Sequence, residues 1–231
     1  VATTSTRMMR QPPRDSVAAD ELAAYDNVVA RQASYGYATG QPGYEKARPA
    51  DQMAGPYFGA LLQSPLIAAH ISDLGAIYRS RGEVPGSYSH ADREWIDIVL
   101  GHEMGLNMWG HVADGMAVGV RPQAVIAVVS GSWDDLEPRE RMLAEFIRAF
   151  ATGKVTDEQW ATLVEDLGQR GAVEWTAFIG HLTMTIRLIQ AFIHNEGEAD
   201  DVVLARVQEV IDGKRDLPDS RARVPSPTTV S

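Results

Sequence analysis

Along the chain, apolar residues recur at intervals of three and four, the period of helices with one buried face. Val17, Leu22, Tyr25 and Val28-Val29 predict a first helix from near Ser16. From Gln32 to Gly55 the pattern dissolves into a loop of about two dozen residues, a length usually tied to function or disorder. Its tyrosines, Tyr35, Tyr37 and Tyr44, favour packing over a pocket or a neighbouring subunit. Pro56–Leu62 reads as a short helix. Ser64-Pro65 opens the next, because proline suits the first helical position. Ile67, Ile71, Leu74 and Ile77-Tyr78 carry its stripe until Gly82 and Pro85-Gly86 stop it.

Ser89 with Asp92 resembles a capping box, and a helix follows from about Ala91 to Met104. Gly105 is a natural stop, and Asn107 a natural N-cap for a helix that ends before Gly119. Arg121-Pro122 opens a helix that closes at Gly131. Asp135 or Glu137 with Pro138 opens another, closed by Gly153. Thr156 with Gln159 forms a second capping box. Gly168 and Gly171 then break the chain before a long apolar helix over about Ala172–His194. No sustained stretch alternates as a strand does. The pattern predicts an all-α chain of about eight or nine helices joined by glycine stops. It divides into a flexible arm (1–16), a single helical domain (17–212) and a flexible tail (213–231).

Composition narrows the chemistry. The net charge of −10 repels nucleic acid and anionic membrane, so neither is expected as a partner. No cysteine is present, which removes disulfides, thiolate metal sites and thiol nucleophiles. No apolar run is long enough to span a bilayer, and residues 1–10 lack the apolar core of a secretory signal, so a cytoplasmic location is expected.

The candidate chemistry gathers in Leu100–Gly119, which holds His102, Glu103 and His111. On one unbroken helix His102 and His111 would lie about 180° apart. Gly105 and Asn107 instead predict a helix–turn–helix whose two arms line one pocket. His111 then sits in the first turn of its helix, where the positive helix end favours a neutral imidazole, a competent base. A core histidine bonded to a carbonyl is the plain alternative. His102 shares the stripe of Trp95, Ile98 and Val99, so it reads first as a core residue. Glu103 reads equally as a surface ion-pair residue. His181, deep in the long helix, needs a polar partner. His111, Glu103 or a ligand would provide one. His70 and His194 look peripheral, and His90 sits at a cap. Met104, Met108, Met116 and Met184 would form an adaptable apolar wall, although ordinary core packing explains their spacing. Trp109 would stack on a flat substrate or pack at a subunit contact. No tight metal motif, phosphate loop or nucleophile elbow is present, so no cofactor or metal is expected.

The run Glu94-x16-His111-x3-Gly115-x3-Gly119, followed by Pro122, resembles the core of the carboxymuconolactone decarboxylase family, which includes the AhpD-like alkylhydroperoxidases. The resemblance extends over about residues 18–195. It takes in Phe58–Pro65, Leu74–Tyr78, Trp133–Glu140, Gly153–Trp160, Gly180-His181 and Ala191-Phe192. It implies an AhpD-like helical bundle, assembled as a homodimer, trimer or hexamer, with a pocket lined by the central helix–turn–helix. AhpD-like members carry a CxxC pair before the histidine. Here Asn107 holds the second cysteine's position, so thiol peroxidase chemistry is excluded. In the decarboxylase branch the matching histidine is an acid–base group, the place of His111. Asn107, Met108 and Trp109 replace the charged residues expected before it, which favours a more apolar or aromatic substrate.

The expectation is a cofactor-independent lyase or isomerase acting on a small aromatic or lactone-type carbonyl or carboxylate compound. Its catalytic set is His111, Glu103, His181 and His102. Its substrate-binding set is Asn107, Trp109, Met108, Met104, Tyr57, Phe58 and Met184. The main rival is a non-catalytic binding or oligomeric scaffold protein of the same fold. A metal-assisted hydrolase is a third reading.

Overall fold

A computed structural model describes residues 10–35, 47–81, 84–193 and 197–219. Among them are nine α-helices and no strand. In chain order they are α1 (Leu22–Ala33), α2 (Gly55–Leu61), α3 (Pro65–Arg81), α4 (His90–Glu103), α5 (Trp109–Ala117), α6 (Pro122–Ser130), α7 (Pro138–Ala151), α8 (Asp157–Phe192) and α9 (Asp200–Ile211). Short 3₁₀ turns stand at Arg14–Ser16, Ala50–Gln52 and Trp133–Asp135.

Two compact units emerge. The first is built from the described residues of Val1–Ile77 and Arg187–Asn195. Its core is Tyr25, Val28, Ala54, Leu61, Leu62 and Ala68, with Tyr57, Phe58 and Phe192 against it. Residues 10–16, from the stretch expected to be an arm, are tied to the surface of this unit. The Gln11 side chain donates to the Tyr25 hydroxyl and accepts from the Ala54 amide, and Tyr25 donates to the Pro12 carbonyl. The second unit is Tyr78–Ile186 with Glu196–Ser220. Its centre is α4, which packs against α5, α6 and α7, while α9 packs on α6. Every α4 residue from Asp92 to Gly101 is buried.

Most glycine stops fall where the sequence places them. Gly105 and Gly131 adopt left-handed conformations immediately beyond helix ends. Both capping boxes form, Ser89 with Asp92 and Thr156 with Gln159. Three expectations need correction. The first helix begins at Leu22, not near Ser16. The Ser16 hydroxyl bonds back to the Pro13 carbonyl at 2.6 Å and closes a turn instead. The N-cap of α5 is Met108, one residue after Asn107. The Asn107 side chain is drawn away to the Glu198 carbonyl (3.1 Å) and to Asp200 (2.7 Å). Gly168 kinks α8 with φ 71° and ψ 164°, but helix resumes at once and Gly171 lies within it. The expected roles of Tyr37 and Tyr44 fall outside the described residues.

Candidate active site

Burying α4 on all sides forces its polar residues to find partners, because an unpaired charge in the interior is costly. Asp92 takes the Ser89 cap, and its other oxygen takes the Arg139 guanidinium at 2.6 Å. Two and five residues on, Glu94 and Asp97 turn toward α5.

Two glycines set that approach. Gly105 ends α4 in a Schellman arrangement, with Leu106 N–H donating to the Gly101 carbonyl (2.7 Å) and Gly105 N–H to that of His102 (3.0 Å). The chain therefore reverses within four residues and α5 returns along α4. Gly115 then lets the helices close. A Cβ there would stand 2.8 Å from Ile98 Cδ1 and 3.3 Å from Glu94 Cβ. His111 is one turn before Gly115, on the same face.

His111 Nδ1 lies 3.0 Å from Glu94 Oε2 and 3.4 Å from Asp97 Oδ1. The two carboxylate side chains retain 2% and 3% of their surface, and the imidazole 21%. Glu94 Oε1 accepts from Arg93 Nη2 at 2.6 Å and faces His90 Nε2 at 3.2 Å. Arg93 also contacts His90 and donates to the Arg79 carbonyl at 3.0 Å. The chain of contacts thus runs from His111 through Glu94 and Arg93 to the end of α3.

The two carboxyls are driven in opposite directions. Burial alone would raise that of Glu94. The Arg93 charge and the hydrogen bonds to His111 and His90 outweigh it and hold the group well below the usual carboxylate range. Burial also raises Asp97, against the charge of His111, and the Glu94 carboxylate pushes it further up. Environments that separate two neighbouring acids in this way are typical of acid–base sites. With Glu94 ionised, its carboxylate accepts the Nδ1–H of His111. Nε2 has no hydrogen-bond partner among the described residues.

The donor atoms of Glu94, Asp97 and His111 lie within 4.8 Å of one another. Arg93 already places a positive charge on Glu94, and Nδ1 directs its hydrogen at the same carboxylate. That donor set suits a proton better than a metal.

His181 stands apart from this trio. Its ring lies 5.3 Å from that of Tyr78 and 6.3 Å from that of Phe178. Its Nδ1 is enclosed without a hydrogen-bond partner among the described residues. Burial and the charge of Arg79 lower its pKa, which favours the neutral ring. Arg79 acts on Asp97 as well.

The other expected residues are placed elsewhere. Glu103 pairs with Arg148. His102 Nδ1 is 3.6 Å from Asp200. Trp109 is buried beneath the guanidinium groups of Arg206 and Arg215, each 5.5 Å from its ring. Met104 and Met108 are half-buried, and Met184 is exposed. Tyr57 and Phe58 belong to the first unit, with ring centroids 5.0 Å apart. Sequence reasoning singled out His111 but passed over Asp97 and Arg93 and left His90 as a cap. One signal was available: Asp97 interrupts a run otherwise suited to burial, Trp95 to Leu100, and Arg93 and Glu94 stand directly before it.

No family model, curated protein or solved structure matches this chain.

Proposed function

We propose that this chain is a cofactor-independent lyase or isomerase of the carboxymuconolactone decarboxylase type, with His111 as its acid–base group. The observation that carries the reading is the 3.0 Å contact between Glu94 Oε2 and His111 Nδ1. A buried carboxylate bonded to one ring nitrogen sets the tautomer and orientation of the ring and leaves the other nitrogen to exchange protons with substrate. Glu94 takes the partner role that the sequence assigned to Glu103 or His181. Arg93 and His90 hold Glu94 in place.

The substrate we propose is a small aromatic or lactone-type compound bearing a carbonyl or carboxylate. In turnover, Nε2 takes a proton from an acidic C–H or returns one to the carbanion left by a departing group. Such proton transfer contributes on the order of 10²–10⁴-fold in rate. Homo-oligomeric assembly belongs to the same reading. Leu66, Ile67, Leu74 and Ile77 on α3 are exposed and support it.

The test is mass spectrometry of candidate aromatic acids and lactones incubated with the protein and with His111→Ala. Conversion by the parent and a loss of roughly 10²-fold or more in the variant are expected. Equal turnover by both would remove His111 from the mechanism. Binding without conversion by the parent would favour a non-catalytic binding protein.

A further inference from the structure

Two buried carboxylates converge on one ring nitrogen, and that nitrogen carries at most one hydrogen. Glu94 has other support, from Arg93 and His90. Asp97 has none of that kind: among the described residues its one ion-pair partner is His111, at 3.4 Å. Two acids this close, both nearly enclosed, do not both stay ionised unless positive charge balances them. Arg93 supplies that charge to Glu94; Asp97, with no arginine in contact, is balanced by a second proton, placed either on Asp97 or on the far side of the imidazole.

We propose that Asp97 and His111 share one exchangeable proton, and that Asp97 is a positioning residue that sets whether the imidazole begins a turnover as base or as acid. This rests on the reading of His111 as the acid–base group. In one state Asp97 is a neutral acid, Nδ1–H donates to Glu94, and the Nε2 lone pair accepts a proton from substrate. In the other Asp97 is ionised, Nδ1–H faces the two carboxylates, and Nε2–H donates to substrate. Both states hold the same number of protons and the same net charge. They interconvert by proton exchange with water at the exposed part of the ring, and nothing is oxidised or reduced. A site poised this way serves a reaction that removes a proton from one atom and returns it to another.

The surroundings are consistent with this balance. On α4 the ionisable neighbours are Arg93, Glu94 and His90, and from α3 Arg79 acts on Asp97. On α5 the other ionisable group is Asp114, fully buried. α6 brings no ionisable residue. On α7 Arg139 is committed to Asp92, Glu140 to Arg121, Arg141 to Asp134 and Arg148 to Glu103, and Glu145 is exposed. From α8, Glu174 is committed to Arg81 and Arg170. Burial and the Glu94 charge favour the proton on Asp97, and the charges of His111, Arg93 and Arg79 oppose them.

The experiment is an NMR titration of the full chain carrying ¹³C-carboxyl aspartate and ¹⁵N-histidine, from acid to mildly alkaline pH, without substrate. Coupled sites titrate as a pair. The Asp97 carboxyl and His111 Nε2 signals are expected to change together over the same pH range. In Asp97→Asn, checked for fold by circular dichroism, the His111 curve should become that of a single site and move. An Asp97 carboxyl ionised at every pH, with a His111 curve unchanged in Asp97→Asn, would overturn the proposal. So would stoichiometric zinc retained by all three groups when ZnCl₂ is added. If Asp97→Asn does not fold, the two labels in the parent protein still decide the question. Coupled titration without turnover of any substrate would sink only the enzymatic reading. Turnover with uncoupled titration would sink only this one.

Discussion

Asp97 and Glu94 pull the stability of the protein in opposite directions as pH changes. Asp97 binds its proton more tightly folded than unfolded. Its stabilising contribution is complete below the unfolded carboxylate value and is lost as pH rises through the folded one. Asp97→Asn should therefore be more stable than the parent at neutral pH, with the advantage vanishing in acid. Urea denaturation at an acidic and a neutral pH measures it, and a neutral-pH loss would contradict the assignment. Glu94 is the reverse: held low by Arg93 and His111 against burial, it stabilises above the ordinary carboxylate range and loses that contribution as pH falls through its folded value. Glu94→Gln should be destabilised at neutral pH and approach the parent in acid. The family resemblance placed Glu94 and His111 in one run of the chain, but the sequence assigned the histidine's partner role to Glu103 or His181. Asp97 left only a faint signal, its place within an apolar run, because an acid three residues from another reads as one more surface charge until its helix is known to be buried all round.

At the scale of elements, the site depends on how closely α5 lies on α4. Gly115→Ala would drive a methyl group against Ile98 Cδ1 and Glu94 Cβ. Overpacking of this kind costs about 1–3 kcal/mol. Chemical denaturation should show that loss, and turnover should fall with it because the His111–Glu94 contact spreads; an unchanged midpoint would mean the helices yield freely. Gly105 has a different reason to be glycine. Nothing stands within 4 Å of a Cβ built there, yet its φ is +69°. Gly105→Ala should cost about 1–2 kcal/mol through the backbone alone. The glycine stop was legible in the sequence. The N-cap at Asn107 was not, because local spacing cannot show that Glu198 and Asp200, some ninety residues on, capture its amide.

On the scale of the molecule, the acid side of the pH profile is set by several carboxylates together. Burial would raise each of Asp92, Glu140 and Glu174, but arginine partners and hydrogen bonds lower them, Glu174 to about 2. These groups stabilise the fold above the ordinary carboxylate range and release that stability as pH falls through their folded values. Thermal melts should show Tm dropping steeply on acidification, with Asp97 working against the trend. Self-association is the second expectation at this scale. The exposed apolar residues of α3 should bring copies together, and sedimentation velocity reads it directly. A monomer at high concentration would remove the oligomeric part of the proposal.

The sequence by itself determined the all-helical class, the glycine stops, both capping boxes, the exclusion of thiol chemistry and the turn that brings His111 back along the preceding helix. These follow from periodicity and local backbone chemistry, which act over a few residues. Only the tertiary structure decided which acid meets His111. Glu103 and His102 are nearer in sequence, but Glu103 is committed to Arg148 and His102 faces Asp200, while Glu94 and Asp97 lie on the α4 face that α5 covers. That choice depends on the crossing of two helices at Gly115, and a crossing is set by packing between segments rather than by the spacing within either one.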